Sequence, residues 1–335
     1  MMAAEGATMR PVPMIRGLLL IFTLSAAPAF AQDKPDEMLN AVVGVSAKIQ
    51  ANARSAETLG LQRQGTGVLV RSGYALTIGY LVIEAESVQV TGADGRTLPA
   101  TVAAYDHASG FALLKIVGAM PAKPLPLGDS AALGERDPAM AVTAGARDSP
   151  TLVYVVSRRA FSGSWEYLLD SAIFTYPPVM EWSGAPLIGA KGELLGIGSL
   201  IVPDAGGPGT QSPGNMFVPI DLLKPILEDL IAKGRRNGPA RPWLGINADE
   251  LRGRLFVGRV SPDGPAARAG LESGDIVLAV GAEEVTTLAD FYRKVWGRGA
   301  AGTAVPLKVL QGTRVRDVTV QSIDRIEYFR PSKTY

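Results

Sequence analysis

What most limits the fold of this chain is the shortness of its apolar runs. They occur at 67–71, 74–78, 87–90, 111–117, 139–142, 152–157 and 194–202, and turn-forming residues separate them. Runs of this length bounded by such residues predict β-strands, because a helix needs a longer stretch of period 3.6 to bury one face. The chain of 335 residues carries 38 glycines and 24 prolines, which supplies the turns of an all-β sandwich or barrel and argues against a helical bundle. One segment differs: from Asp221 to Gly234 the apolar positions 222, 223, 226, 227, 230 and 231 share a helical face, with Asp221 as the expected N-cap and Gly234 just past the end. After it comes a basic connector at 235–242. The remainder mixes strands at 255–260, 276–280, 305–310 and 315–320 with two short helices, one framed by Gly264-Pro265 and Gly270, the other over 288–295. Pro306 predicts an edge strand or a bulge, since it cannot donate to a ladder.

Composition removes whole classes of chemistry. There is no cysteine, hence no disulfide, thiolate metal site or cysteine nucleophile, and one histidine, His107, cannot build a multi-histidine metal centre. No metal or cofactor is expected. Residues 1–31 read as an export leader: Arg10 and Arg16 flank the start of a short apolar run, and Ala29-Phe30-Ala31 is a small-x-small cleavage site before Gln32. The run is too short to span a bilayer, so no membrane span is expected in the mature form. Retention of the leader as an anchor, and starts at Met9 or Met14, are alternatives. Without the leader the acidic and basic residues balance, which offers nothing to a nucleic acid.

The order of these pieces carries a resemblance. Gly65-Thr66-Gly67-Val68, Ala75-Leu76-Thr77, Phe111-Ala112-Leu113-Leu114-Lys115, Leu127-Gly128-Asp129-Ser130, Ser183-Gly184-Ala185-Pro186-Leu187 and Phe217-Val218-Pro219-Ile220 are followed by Trp243-Leu244-Gly245-Ile246, Pro265-Ala266-Ala267-Arg268-Ala269-Gly270-Leu271 and Gly274-Asp275-Ile276. In this order the strings resemble the HtrA/DegP family of exported serine proteases. The resemblance implies a mostly β fold, a trypsin-like double β-barrel followed by a smaller α+β PDZ domain. It places the leader at 1–31, the protease-fold domain at 32–234, a linker at 235–242, the PDZ domain at 243–324 and a tail at 325–335.

The family's catalytic residues are another matter. In Leu76-Thr77-Ile78-Gly79-Tyr80-Leu81-Val82 the histidine position carries Tyr80, and Gly110 stands where the aspartate would precede Phe111. The nucleophile motif reads Glu181-Trp182-Ser183-Gly184-Ala185-Pro186-Leu187, so Ser183 remains while Glu181 replaces the glycine whose amide would help form the oxyanion hole. A serine hydroxyl needs a neighbouring base to take its proton, and a phenol with pKa near ~10 is protonated at neutral pH. Loss of the base alone costs on the order of 10⁶ in kcat. Nine residues, Phe174 to Trp182, separate Ala172-Ile173 from Ser183 where the family pattern has four, so the loop shaping the site has been rebuilt. His107 is expected in a surface or capping role, Tyr80 as a packing aromatic at the cleft edge, and Ser183 as a small residue suited to its turn. Phe174, Tyr176 and Trp182 read either as a binding patch or as aromatics sealing a vacated cleft. The pairs Arg158-Arg159 and Arg235-Arg236 read as solvated charge.

The PDZ-like half keeps its binding logic. Such modules take a partner's C-terminus as an added strand, with amides of a Φ-Gly-Φ loop receiving the carboxylate. Leu244-Gly245-Ile246, after Trp243, fits that loop, and Leu288, Phe291, Tyr292 and Val295 would form the helical wall of the groove. Three functions follow from the resemblance. The first is an exported, periplasmic, catalytically inactive protein that binds peptides or protein C-termini through the PDZ domain and the remodelled cleft. The second is a serine endopeptidase of altered mechanism. The third is a subunit regulating an active HtrA protease, with homotrimer formation open.

Overall fold

The computed structural model describes residues 35–147 and 149–329. The expected leader and its cleavage after Ala31 lie outside them.

Two closed antiparallel barrels follow a short helix, α1 (Pro35–Leu39). The first joins β1 (Val42–Ile49), β2 (Gln62–Arg71), β3 (Tyr74–Ile78), β4 (Ala85–Thr91), β5 (Thr97–Asp106) and β6 (Phe111–Ile116), with α2 (Ala56–Leu59) between β1 and β2. The second joins β7 (Pro138–Ala141), β8 (Thr151–Gly163), β9 (Tyr167–Tyr176), β10 (Pro186–Ile188), β11 (Leu194–Val202) and β12 (Gly214–Pro219). Closure removes the sheet edges, so strands with apolar residues on one face fill each interior without exposing unpaired amides. Val42, Val68, Leu76, Phe111, Leu113 and Leu114 pack the first interior, and Ala139, Val153, Ile173, Leu187 and Phe217 the second.

The expected continuous helix over 221–234 is instead a single 3₁₀ turn (Ile220–Leu222) followed by α3 (Leu227–Lys233). Pro225 lies at the break, where it lacks an amide donor and disfavours helical geometry at Lys224. Asp221 is therefore not the helix N-cap; its carboxylate accepts from Ser130 Oγ (2.7 Å) and the Ala131 amide (2.7 Å). Gly234 does end the helix in the left-handed region, at φ 71°.

The C-terminal unit is a sheet ordered β13 (Ile246–Leu251), β14 (Arg254–Val260), β15 (Ile276–Val280), β17 (Ala304–Gln311), β18 (Arg314–Gln321), with β16 (Glu283–Glu284) beside β15. It carries α4 (Pro265–Arg268) and α5 (Leu288–Trp296). Pro306 lies on β17, which is internal, and the register shift of the β15–β17 pairing falls between Val277 and Ala279, so Pro306 marks neither the edge nor the bulge expected. The last β15–β17 pair is Val280 with Leu307, and beyond it the Pro306 carbonyl accepts from the Gly281 amide (2.7 Å). The missing donor thus falls just past the ladder. Residues 325–329, expected within a tail, are folded: α6 (Arg325–Tyr328) sets the Tyr328 ring 4.7 Å from that of Trp243 and 4.2 Å from the Arg54 guanidinium.

Among the described residues no helix is long and apolar enough to cross a membrane, and no cluster of three or more His, Asp or Glu could hold a metal.

Candidate active site and peptide groove

Ser183 sits where the two barrels meet. Its turn is fixed by backbone: the Ser183 carbonyl accepts from the Thr66 amide on β2 (2.8 Å), and the Gly184 amide donates to the Gly198 carbonyl on β11 (2.9 Å). Gly184 has φ 76°, and a Cβ there would lie 1.9 Å from the Thr66 carbonyl oxygen, so only glycine fits. Thr66 is held in turn by Thr77 Oγ1, which donates to its carbonyl (2.7 Å), and its own hydroxyl accepts from the Ala144 amide of the second barrel (3.0 Å).

Tyr80 follows β3 in a 3₁₀ turn, Gly79–Leu81. Its hydroxyl lies 2.8 Å from Ser183 Oγ and 2.8 Å from the Ser199 carbonyl oxygen. A phenol has one proton and a carbonyl can only accept. Both contacts are satisfied together when Tyr80 donates to Ser199 and Ser183 donates to the phenol oxygen. Burial pushes the Tyr80 phenol up to about 12, against the hydrogen bonds of Ser183 and Trp182. At neutral pH the group beside the serine is thus a protonated phenol whose proton is already committed.

Gly110 supplies no carboxylate, and its backbone conformation and close neighbour disfavour one. It has φ 80°, a Cβ would come 3.3 Å from the Tyr167 hydroxyl, and its carbonyl accepts from the Gly79 amide (2.7 Å). Tyr167 donates to the Ser109 carbonyl (2.6 Å), which fixes its ring beside this position. The nearby carboxylate, Asp106, is committed elsewhere. Burial alone would raise its pKa, but the fork of Arg236, at 2.6 Å from both oxygens, and bonds from Ser109 hold it below the usual aspartate range. Arg236 is accordingly a structural partner rather than solvated charge. His107 is half-buried rather than a surface or capping residue: its ring lies 4.2 Å from Tyr105 and 6.0 Å from Phe329, and both nitrogens are buried with no hydrogen-bond partner. Burial first, and the Arg325 charge second, hold it well below the ordinary histidine range, so it is neutral.

A cavity of about 780 Å³ opens beside the serine, lined by Gln64, Thr91, Gly145, Met180, Glu181 and Trp182. Glu181 is exposed, and its carboxylate lies against Gly145. The aromatics expected to act together are dispersed. Phe174 is buried under the Arg159 guanidinium (3.9 Å), Tyr176 points to solvent, and Trp182 is half-buried at the cleft. The rebuilt loop is clasped by buried Asn215, whose Oδ1 accepts from the Val179 amide (2.6 Å) and whose Nδ2 donates to the Val179 carbonyl (3.0 Å).

In the C-terminal unit the Φ-Gly-Φ amides are occupied. Glu166, from the β8–β9 turn, accepts from Leu244 (3.0 Å to Oε2), Gly245 (2.7 Å to Oε1) and Ile246 (3.0 Å to Oε1). The Ser164 carbonyl accepts from the Ala248 amide (3.0 Å), and Tyr292 on α5 donates to the Gly163 carbonyl (2.7 Å) while accepting from the Glu166 amide (3.2 Å). Leu168 completes the apolar core containing Leu288, Phe291, Tyr292 and Val295. The groove expected to bind peptides is thus covered by the first domain, and Trp243 packs on Tyr328. Glu166 escaped sequence reading because nothing in a lone hairpin glutamate signals a contact some 80 residues away; its left-handed φ of 57° is visible only in the structure.

The comparisons agree with this architecture. A trypsin-like peptidase domain model matches residues 65–197 and a PDZ domain model matches 242–321. A DegP-like periplasmic serine endoprotease of Halomonas elongata is 31% identical over 275 residues, 76% of this chain and 55% of that protein. The serine protease HhoA of Synechocystis sp. is 31% identical over 286 residues, 77% of this chain and 70% of that protein. The chain spans about half the length of several such relatives. A serine endoprotease structure from Yersinia pestis shares the fold at TM-score 0.52, with 24% identity over 87% of this chain and 97% of that one. The HtrA-type protease AlgW with a decapeptide does so at 0.53, with 22% identity over 88% and 96%. Domain models, relatives and fold converge, and the chain belongs to the HtrA/DegP family of trypsin-like peptidase domains joined to a PDZ domain.

Proposed function

We propose that this protein is an exported HtrA-type pseudoprotease that binds peptide segments or protein C-termini without cleaving them. The observation that carries this reading is the phenol of Tyr80 against Ser183 Oγ. A general base must be unprotonated at working pH and within reach of the nucleophile's proton. Tyr80 meets the second condition and fails the first. With Gly110 crowded by Tyr167 and Asp106 bound to Arg236, no carboxylate orients a base there, and Glu181 brings negative charge toward the region where an oxyanion would form. Peptide binding rests on the Φ-Gly-Φ amides of Leu244, Gly245 and Ile246 and on the cavity beside Ser183. Export to the periplasm rests on the leader-like residues 1–31 and on the periplasmic location in relatives' names.

The test is fluorophosphonate labelling of the purified protein alongside an active family member, with casein hydrolysis measured for wild type and Ser183→Ala. No labelling of Ser183 and no casein cleavage is the expected result. Cleavage that Ser183→Ala abolishes would overturn this reading in favour of a serine endopeptidase of altered mechanism.

A further inference from the structure

The β8–β9 turn lies on the edge of β13 in the manner of an added strand. Ile246 and Ala248 are two residues apart, so their amides point to the same side, outward from the sheet whose edge β13 forms. Glu166 and Ser164, also two apart, meet them in antiparallel order: the Glu166 carboxylate at Ile246 and the Ser164 carbonyl at Ala248. A C-terminal peptide entering such a groove would bring a carboxylate to the same three amides and a carbonyl to the same strand amide. The helix wall takes part as well, through the Tyr292 hydroxyl bonded to Gly163 and Glu166. Arg325 closes the other side by donating to the Trp165 carbonyl (3.0 Å).

These contacts cannot coexist with a bound C-terminus, because one set of amides cannot serve two carboxylates. We propose that Glu166 is a resident ligand of the PDZ carboxylate loop, a side-chain imitation of a peptide C-terminus, so that external C-termini bind only by displacing the β8–β9 turn and parting the two domains there. This rests on the peptide-binding part of the proposed function. It adds that the site is held shut by the chain's own hairpin, and that its natural competitor carries a free carboxylate.

The test uses the full chain and synthetic decapeptides ending in Val, Leu, Ile or Phe, each with a free and an amidated terminus. Binding is measured by calorimetry to wild type, Glu166→Gln and Glu166→Ala, with amide hydrogen exchange followed in the same proteins. Glu166→Ala should bind the free-carboxylate peptides at least about ten-fold more tightly than wild type, with Glu166→Gln between them, because the competent fraction rises. Amidated peptides should gain nothing. In wild type, a bound free-carboxylate peptide should speed exchange at residues 163–168.

Equal affinity of wild type and Glu166→Ala would overturn the proposal. So would a peptide that binds wild type without changing exchange at 163–168, a measurement that needs no variant. If no protein binds any peptide but the amides of Leu244, Gly245 and Ile246 exchange faster in Glu166→Ala, Glu166 is confirmed as the resident ligand and the peptide-binding reading fails. If those amides exchange no faster, the resident ligand is refuted.

Discussion

At Ser183 the backbone of a nucleophile turn is intact while the side chains around it have changed character; at Leu244, Gly245 and Ile246 the binding amides are intact and a carboxylate already rests on them. The difference lies in what each function needs. Nucleophilic catalysis depends on the protonation state of one neighbouring side chain, and replacing it removes the chemistry without disturbing the fold. Carboxylate capture depends on main-chain donors that packing holds in place, so side-chain replacement does not remove it and only an occupant can silence it.

The most damaging way to probe the first region is Gly184→Ala. Strain at φ 76° and a Cβ 1.9 Å from the Thr66 carbonyl oxygen should cost about 3 kcal/mol or more in denaturant unfolding. Glu166→Ala in the second region should cost far less, and similar losses would break the comparison.

Asp106→Asn should cost about 2–3 kcal/mol at neutral pH, since Arg236 loses an ionised partner. The pH dependence carries a definite sign. The folded-state pKa of Asp106 lies below its unfolded value, so its contribution is present above the ordinary aspartate range near 3.8 and is lost as pH falls through the folded value. Unfolding titrations should show part of the wild-type acid sensitivity missing in Asp106→Asn.

Tyr80→Phe should cost about 1 kcal/mol, as Ser183 Oγ and the Ser199 carbonyl each lose a partner. Thermal unfolding checks it; an unchanged midpoint would mean that water replaces the phenol without loss.

Glu166 should show a pH effect of opposite sign to that of Asp106. Burial raises its pKa more than the Leu244, Ile246 and Gly245 amides and the Arg325 charge lower it. The extra stability linked to its protonated form is therefore fully present below the ordinary glutamate value of 4.5 and is lost as pH rises through the folded value. Glu166→Gln should flatten stability across that window, read from unfolding midpoints on either side of it.

The smallest effect expected is in activity. Tyr80→His should leave casein hydrolysis at background, because Gly110 supplies no carboxylate to orient the new imidazole and Asp106 is bound to Arg236. Hydrolysis restored by that single change would show the first region to be one substitution from function.

Much of this was legible in the sequence, for reasons particular residues make plain. The strands over 74–78 and 194–202 were bounded by turn residues and emerged at those bounds. Tyr80, Gly110 and Ser183 could be placed because short family strings flank them. What the chain did not disclose were relations between distant segments: Asp106 bound by Arg236, His107 stacked near Phe329, Asn215 clasping Val179, Glu166 on the carboxylate loop. Each joins residues far apart in a chain whose local sequence is ordinary, and only tertiary folding brings them together. The helical periodicity over 221–234 points to one helix, and the missing amide of Pro225 breaks it.

The hairpin holding Glu166 is covalently part of the chain, so it meets the amides of Gly245 and Ile246 at an effective concentration that dilution cannot lower. For tethered ligands that figure is on the order of millimolar, and a free segment must outcompete it. Sparse or weakly matching C-termini would go unanswered, whereas a surge of exposed ends would cross the threshold. On the proposed reading, such a site would respond to abundance, and its set point would be tuned by any substitution that strengthens or loosens the hairpin without touching the groove.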